Sequence, residues 1–106
     1  MYAIKEHSKS VRGVKIPTFS RVIEGSTLLD VEAGTNGFRG GGPGAGSRSY
    51  IRIQNLSDTD FAGPPDEPAM DGIEIFLGGD SELETMITGL EFILKVLKEE
   101  AMEVNK

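Results

Sequence analysis

Thirteen residues, Gly34-Thr35-Asn36-Gly37-Phe38-Arg39-Gly40-Gly41-Gly42-Pro43-Gly44-Ala45-Gly46, hold seven glycines around one phenylalanine and one arginine, and run on into Ser47, Arg48 and Tyr50. The chemistry these types suit is capture of an anion. Glycines let backbone N–H groups converge in a nest, arginines make bidentate bonds to phosphate, and aromatic rings stack on a base. Fixing seven glycines costs about 4–7 kcal/mol, a large part of the roughly 5–15 kcal/mol that holds a domain together. The segment is therefore either a mobile linker or a loop whose ordering some contact repays. Phe38 beside Arg39, with Arg48 and Tyr50 close behind, argues against a plain linker. The candidate ligand-binding set is Thr35, Asn36, Phe38, Arg39, Gly41, Gly42, Ser47, Arg48, Tyr50 and Arg52. Arg39, Arg48 and the glycine backbone are read as anion contacts, and Phe38 or Tyr50 as the stacking surface. The competing reading of the loop is a subunit contact.

The loop is not a nucleotide-kinase phosphate loop. Gly41 and Gly46 have the required separation, but Ser47 stands where the lysine of that motif must be. The next residues, Ser49-Tyr50-Ile51-Arg52-Ile53-Gln54, alternate like a strand instead of opening a helix. Catalytic signatures are not legible: His7 stands near a terminus without a partner motif, and no triad or metal-ligand cluster is spaced for chemistry. Asp58-x-Asp60 lacks the alternating ligands and closing glutamate of a calcium loop. The expectation is binding without turnover, with no cofactor and no metal.

Net charge is −6, unevenly spread. Residues 1–54 carry eight Lys/Arg against four acids, and residues 55–106 three against thirteen. The loop is thus locally cationic in an acidic protein, which suits one small anion and disfavours long nucleic acid. Cysteine is absent, so disulfide and thiolate chemistry are excluded. No run is long and apolar enough for a membrane span, and the start lacks a signal-peptide core. A cytoplasmic protein is expected, or one in the host cytoplasm if it is phage-encoded.

The elements that must position the loop emerge from periodicity. With 106 residues, a single domain over 1–106 is expected. Val11–Ile16 suggests a strand ending at Pro17, and Phe19–Ile23 pairs with Thr27–Ala33 across a turn at residues 24–26. Leu29, Val31 and Ala33 share one face and Asp30 and Glu32 the other, so one face is expected in the core and the other wet. The polar face carrying Asp30, Glu32, Arg52 and Gln54 is either solvated surface or the floor of a site. Residues 57–72 read as an acidic, proline-rich loop, and Ile73–Leu77 as the last strand.

Ser81-x-x-Glu84 matches a capping box, and apolar residues recur at helical spacing from Leu83 to Ala101, predicting a helix over about 81–103. Thr85, Gly89, Phe92 and Val96 form a stripe beside its main apolar face, the expected homo-oligomer interface. The fold class is α+β: an antiparallel sheet of four to five strands packed against one long C-terminal helix.

The motifs Gly34-Thr35-x-Gly37, Gly46-Ser47-Arg48-Ser49-Tyr50 and Gly78-Gly79-Asp80-Ser81-Glu82-Leu83-Glu84-Thr85 resemble a set of small uncharacterised proteins of bacteria, phages and mobile elements. In size, acidity and a glycine-rich basic pocket, the chain is also similar in general character to phage proteins that sequester cyclic-nucleotide or ADP-ribose-type immune signals. That likeness implies tight capture of a signalling nucleotide with no chemistry performed on it. The alternative is an oligomeric interaction protein whose loop contacts a neighbouring subunit or inhibits a host protein.

Overall fold

A computed structural model describes residues 4–24, 28–40, 46–57 and 72–104. Five strands, β1 (Lys5–Val11), β2 (Val14–Glu24), β3 (Leu28–Thr35), β4 (Arg48–Ser57) and β5 (Gly72–Gly78), precede one helix, α1 (Asp80–Val104). The sheet is an antiparallel meander in which each strand pairs with its sequence neighbour, in the order β1-β2-β3-β4-β5. The α+β architecture is the one that the periodicities predict.

The N-terminal reading is corrected. Val11–Ile16 is not one strand but a hairpin corner, with Val11 paired to Val14 across Arg12 and Gly13. Both turn residues have positive φ, 49° and 82°, the geometry of a tight two-residue turn whose twist matches the strands. Pro17 does not end the strand either. It pairs with Ser8 of β1 and sits one residue outside the stretch that β3 borders, which begins at Thr18. A residue without an N–H is tolerated at such a margin.

Against the expectation of one core face and one wet face, both faces of the sheet hold buried side chains. Register sets His7, Thr18, Glu32, Tyr50, Arg52 and Glu74 on one face. This face curls inward until Lys9 of β1 reaches Glu74 of β5 at 3.8 Å and lies over the Tyr50 ring at 5.0 Å. The face predicted to be wet is therefore concave, and the buried cluster of Val11, Ile16 and Tyr50 belongs to it. The other face carries Phe19, Ile23, Val31, Ile51, Ile53 and Ile73, of which Phe19, Ile23 and Ile73 are exposed and the rest half-buried. Close approach dictates one glycine here. A Cβ on Gly34 would lie 2.2 Å from the Pro17 carbonyl oxygen, where β3 passes β2.

The helix rests on the sheet only at its beginning. Leu83 and Leu77 are both buried and line one cavity between helix and sheet, whereas Ile87, Leu90, Ile93, Leu94 and Leu97 are exposed, the last at 64%. Its start also differs from the expected capping box. Leu83 N donates to Gly79 O at 3.2 Å, which makes Gly79 the cap, and Glu82 Oε1 accepts from Gly78 N at 3.0 Å. The reach-back role thus falls to Glu82, two residues before Glu84. At 100° per residue, the stripe of Thr85, Gly89, Phe92 and Val96 points about 135° from the centre of the main apolar face, nearer the back of the helix than its edge. All four of these residues are exposed.

Candidate functional site

The glycine-rich loop joins β3 to β4 and folds over the start of α1. Asp80, the first helical residue, projects its carboxylate into the loop. Oδ1 accepts from Arg39 N and Ser47 N, each at 3.0 Å, and Oδ2 from Gly40 N at 2.6 Å. These amides hold its carboxyl below the ordinary carboxylate range, Arg39 N first, then Ser47 N and Gly40 N. The converging backbone donors that the sequence suggested for an external anion are, at these three positions, turned on an anion the chain supplies itself. Repayment of the loop's ordering cost is therefore at least partly internal.

Asn36 fastens the other side. Its N–H donates to Arg48 O at 3.1 Å, its Oδ1 accepts from Arg48 N at 2.7 Å, and its carbonyl accepts from Arg39 Nε at 2.9 Å. Thr35 Oγ1 accepts from Gly37 N at 3.1 Å and from Ser49 Oγ at 2.9 Å. The β-like alternation before Gly34 stops here because these side chains bond to local backbone, as short polar residues do in turns.

The ten predicted residues are divided among three places. Thr35, Asn36, Phe38, Arg39, Ser47 and Arg48 gather in the loop and at its exit. Gly41 and Gly42 lie outside the described residues. Arg48 is buried, with Nη1 donating to Gly46 O at 2.9 Å and Ser47 O at 3.2 Å, so its guanidinium braces the loop from beneath. Tyr50 is 1% exposed; its ring packs on Phe76 at 5.1 Å and its hydroxyl donates to Glu74 Oε2 at 2.5 Å. Burial first, and Glu74 second, raise its pKa well above the usual phenol value. A ring so covered offers no stacking surface. Arg52 is four residues along β4 from Arg48, about 13 Å away, where Nη2 bonds to Asp30 Oδ2 at 3.0 Å and Glu32 Oε1 at 3.2 Å. Outward, the loop presents Phe38, 59% exposed, and Arg39.

Arg52 belongs to a second concavity. Lys5, His7, Ser20, Asp30 and Glu32 share it, in a cavity of about 450 Å³ on the inward face. His7 Nε2 and Ser20 Oγ are 3.0 Å apart, and Thr18 Oγ1 donates to Glu32 Oε2 at 2.5 Å. Sequence reasoning does not find His7 and Ser20. The signal for His7 is the alternation Lys5, His7, Lys9, which is polar and so invisible to a search for apolar periodicity. Among the described residues no group of three His, Cys, Asp or Glu is placed to hold a metal ion, and no helix is long and apolar enough to cross a membrane. Comparison with protein-family models, with curated proteins and with solved structures returns no match.

Proposed function

We propose that this chain is a non-enzymatic binding protein that works as a homo-oligomer and holds a small phosphorylated ligand of nucleotide type. The observation that carries this reading is the pair Phe38 and Arg39 on the part of the loop that Asp80 and Asn36 hold. Arg39 Nε is tied to Asn36 O and its backbone to Asp80, so the guanidinium is oriented before any ligand arrives. Its Nη groups have no partner among the described residues. A planar donor fork held in place binds phosphate with little further ordering, and a neighbouring exposed ring accepts a base on its face.

Magnitudes support the oligomeric part. Two charge-assisted bonds and one stacked base supply about 4–9 kcal/mol in gross terms, before the cost of association. Less that cost, binding by one chain alone is about millimolar or weaker. Capture of a scarce signal, the role that the likeness to phage counter-defence proteins implies, needs further contacts, and a neighbouring subunit is a source of them. The site of action would be the cytoplasm.

The test is to purify the protein from cells, denature it with heat and identify any released small molecule by mass spectrometry. A thermal-shift screen of cyclic di- and trinucleotides and ADP-ribose derivatives accompanies it. A ligand at a hundredfold excess over Kd stabilises by about 2.7 kcal/mol, and Arg39→Glu, compared with the same variant without ligand, should show no such shift. No release and no shift would sink the reading. One observation favours a second reading, an interaction protein: large apolar side chains stand exposed along α1, Phe92 at 66% among them.

A further inference from the structure

Among the described residues, two apolar surfaces of this chain are left uncovered, and each has the form of the other's missing layer. On the sheet it is the convex face of Phe19, Ile23, Val31, Ile53 and Ile73, over which an open groove of about 360 Å³ runs by Phe19, Val31 and Ile53. On the helix it is the distal run of Ile93, Leu94 and Leu97, beyond the turns that touch the sheet of the same chain. An amphipathic helix and a one-sided apolar sheet are stable when packed together. The chain exposes 7581 Å² where a compact protein of its mass exposes about 5,800 Å². Its radius of gyration is 15.8 Å against about 13 Å for a compact chain of this length.

Charge selects the arrangement. Helix α1 holds seven acids against two lysines, a net of −5, so laying two such helices together sets like charge on like. The β1–β2 hairpin, residues 5–24, holds five Lys/Arg against two glutamates, a net of +3. Lys15 and Arg21 alternate onto the same face as Phe19 and Ile23, both exposed, with no ion pair among the described residues. On the helix, Glu91 and Glu100 flank the apolar run, each three residues from Leu94 or Leu97.

We infer that two copies of this chain pair by exchange, with the distal helix of each laid on the convex sheet face of the other and its flanking glutamates beside Lys15 and Arg21. The contact is isologous, so one set of residues makes it twice. It rests on the homo-oligomeric part of the function proposed above and is independent of the ligand, because Phe38 and Arg39 lie outside both surfaces.

The experiment uses the absence of cysteine. Ile53→Cys and Leu97→Cys are made singly in the full chain, and molar mass is measured by light scattering after size exclusion. The expected mass is two chains or an even multiple of two. On mild oxidation, a mixture of the two variants should form a crosslinked dimer that neither forms alone. Crosslinking of Leu97→Cys with itself would mean that helix packs on helix and would overturn the exchange. A monomeric mass at tens of micromolar would overturn it as well. Arg21→Glu and Glu91→Arg, both at exposed positions, should each weaken pairing about tenfold or more, and together restore it in part. Pairing unaffected by Arg21→Glu counts against the arrangement, and so does a pair broken by Phe92→Glu, which changes the opposite side of the helix. Loss of nucleotide binding in Arg39→Glu with the mass unchanged would separate the two proposals.

Discussion

Gly40 and Asp80 are 40 residues apart in sequence, and the amide of one donates to the carboxylate of the other at 2.6 Å. This bond, with its companions from Arg39 and Ser47, makes the first residue of the helix the fastener of the loop. A helix N-terminus attracts negative charge through its own free amides. Here the charge is placed one residue past the cap and aimed away from the helix, so loop and helix start share one carboxylate.

Asp80→Asn keeps the shape of the side chain and removes its charge. The amides of Arg39, Gly40 and Ser47 should then exchange hydrogen faster by a clear margin, while amides in the middle of β2 and β3 hold their protection. Equal exchange in both proteins would show that the loop is fixed by Asn36 and Thr35 without Asp80.

The same carboxylate sets an acid limit. Its pKa is lowered in the folded chain from an ordinary value of 3.8, so it binds its proton less readily when folded. Its contribution to stability is complete above 3.8 and is lost as pH falls through the folded value. Backbone chemical shifts of Gly40 and Ser47, monitored from about pH 5 to about pH 2, should move together, with a midpoint below 3.8.

Tyr50 sets the opposite limit. Its folded pKa is raised above the ordinary 10.0, so the folded chain keeps the phenolic proton that the unfolded chain gives up. Stability from this group is complete below about 10 and declines as pH rises past it. Ultraviolet titration should show no ionisation of Tyr50 while the fold persists, and Tyr50→Phe should lessen the alkaline loss.

Arg52 lies between two carboxylates that would otherwise face each other unpaired, and the Glu32 side chain is 10% exposed. Arg52→Met should destabilise the fold by about 2–4 kcal/mol at neutral pH, measured by urea denaturation. An unchanged midpoint would mean that the pair is fully solvated.

Two glycines of the same region should differ sharply. Gly34→Ala places a Cβ against the Pro17 carbonyl and forces β3 off β2, with a loss of about 3 kcal/mol or more. Gly37→Ala meets open space and bears only the strain of φ 83°, about 1–2 kcal/mol. Equal losses would contradict the close approach.

The helix and strands β3 to β5 are legible because each repeats its apolar residues at its own period, and the glycine loop because its composition is extreme. Other features are not legible, each for a physical reason. The hairpin at Arg12-Gly13 is hidden because a non-glycine residue there adopts positive φ, which residue type rarely announces. Burial on the polar sheet face is hidden because alternation shows that the faces differ but not which way a sheet curls. Arg48 and Tyr50 resemble ligand groups in the sequence because residue type does not reveal depth: Tyr50 is buried under Lys9, and Arg48 is buried with its guanidinium on the loop carbonyls. Asp80 is recognisable as a charge at a helix start, but its partners lie more than thirty residues upstream.

The curl of the sheet also bears on the order of folding. Every strand pairing joins sequence neighbours, so the meander zips by short loop closures, whereas the contact of Lys9 with Glu74 closes a loop of some 65 residues. By loop-closure entropy the roll is the step expected to come late in assembly. The stretch that remains open until then carries Tyr50, so substitutions at Lys9 should speed unfolding and leave the refolding rate almost untouched.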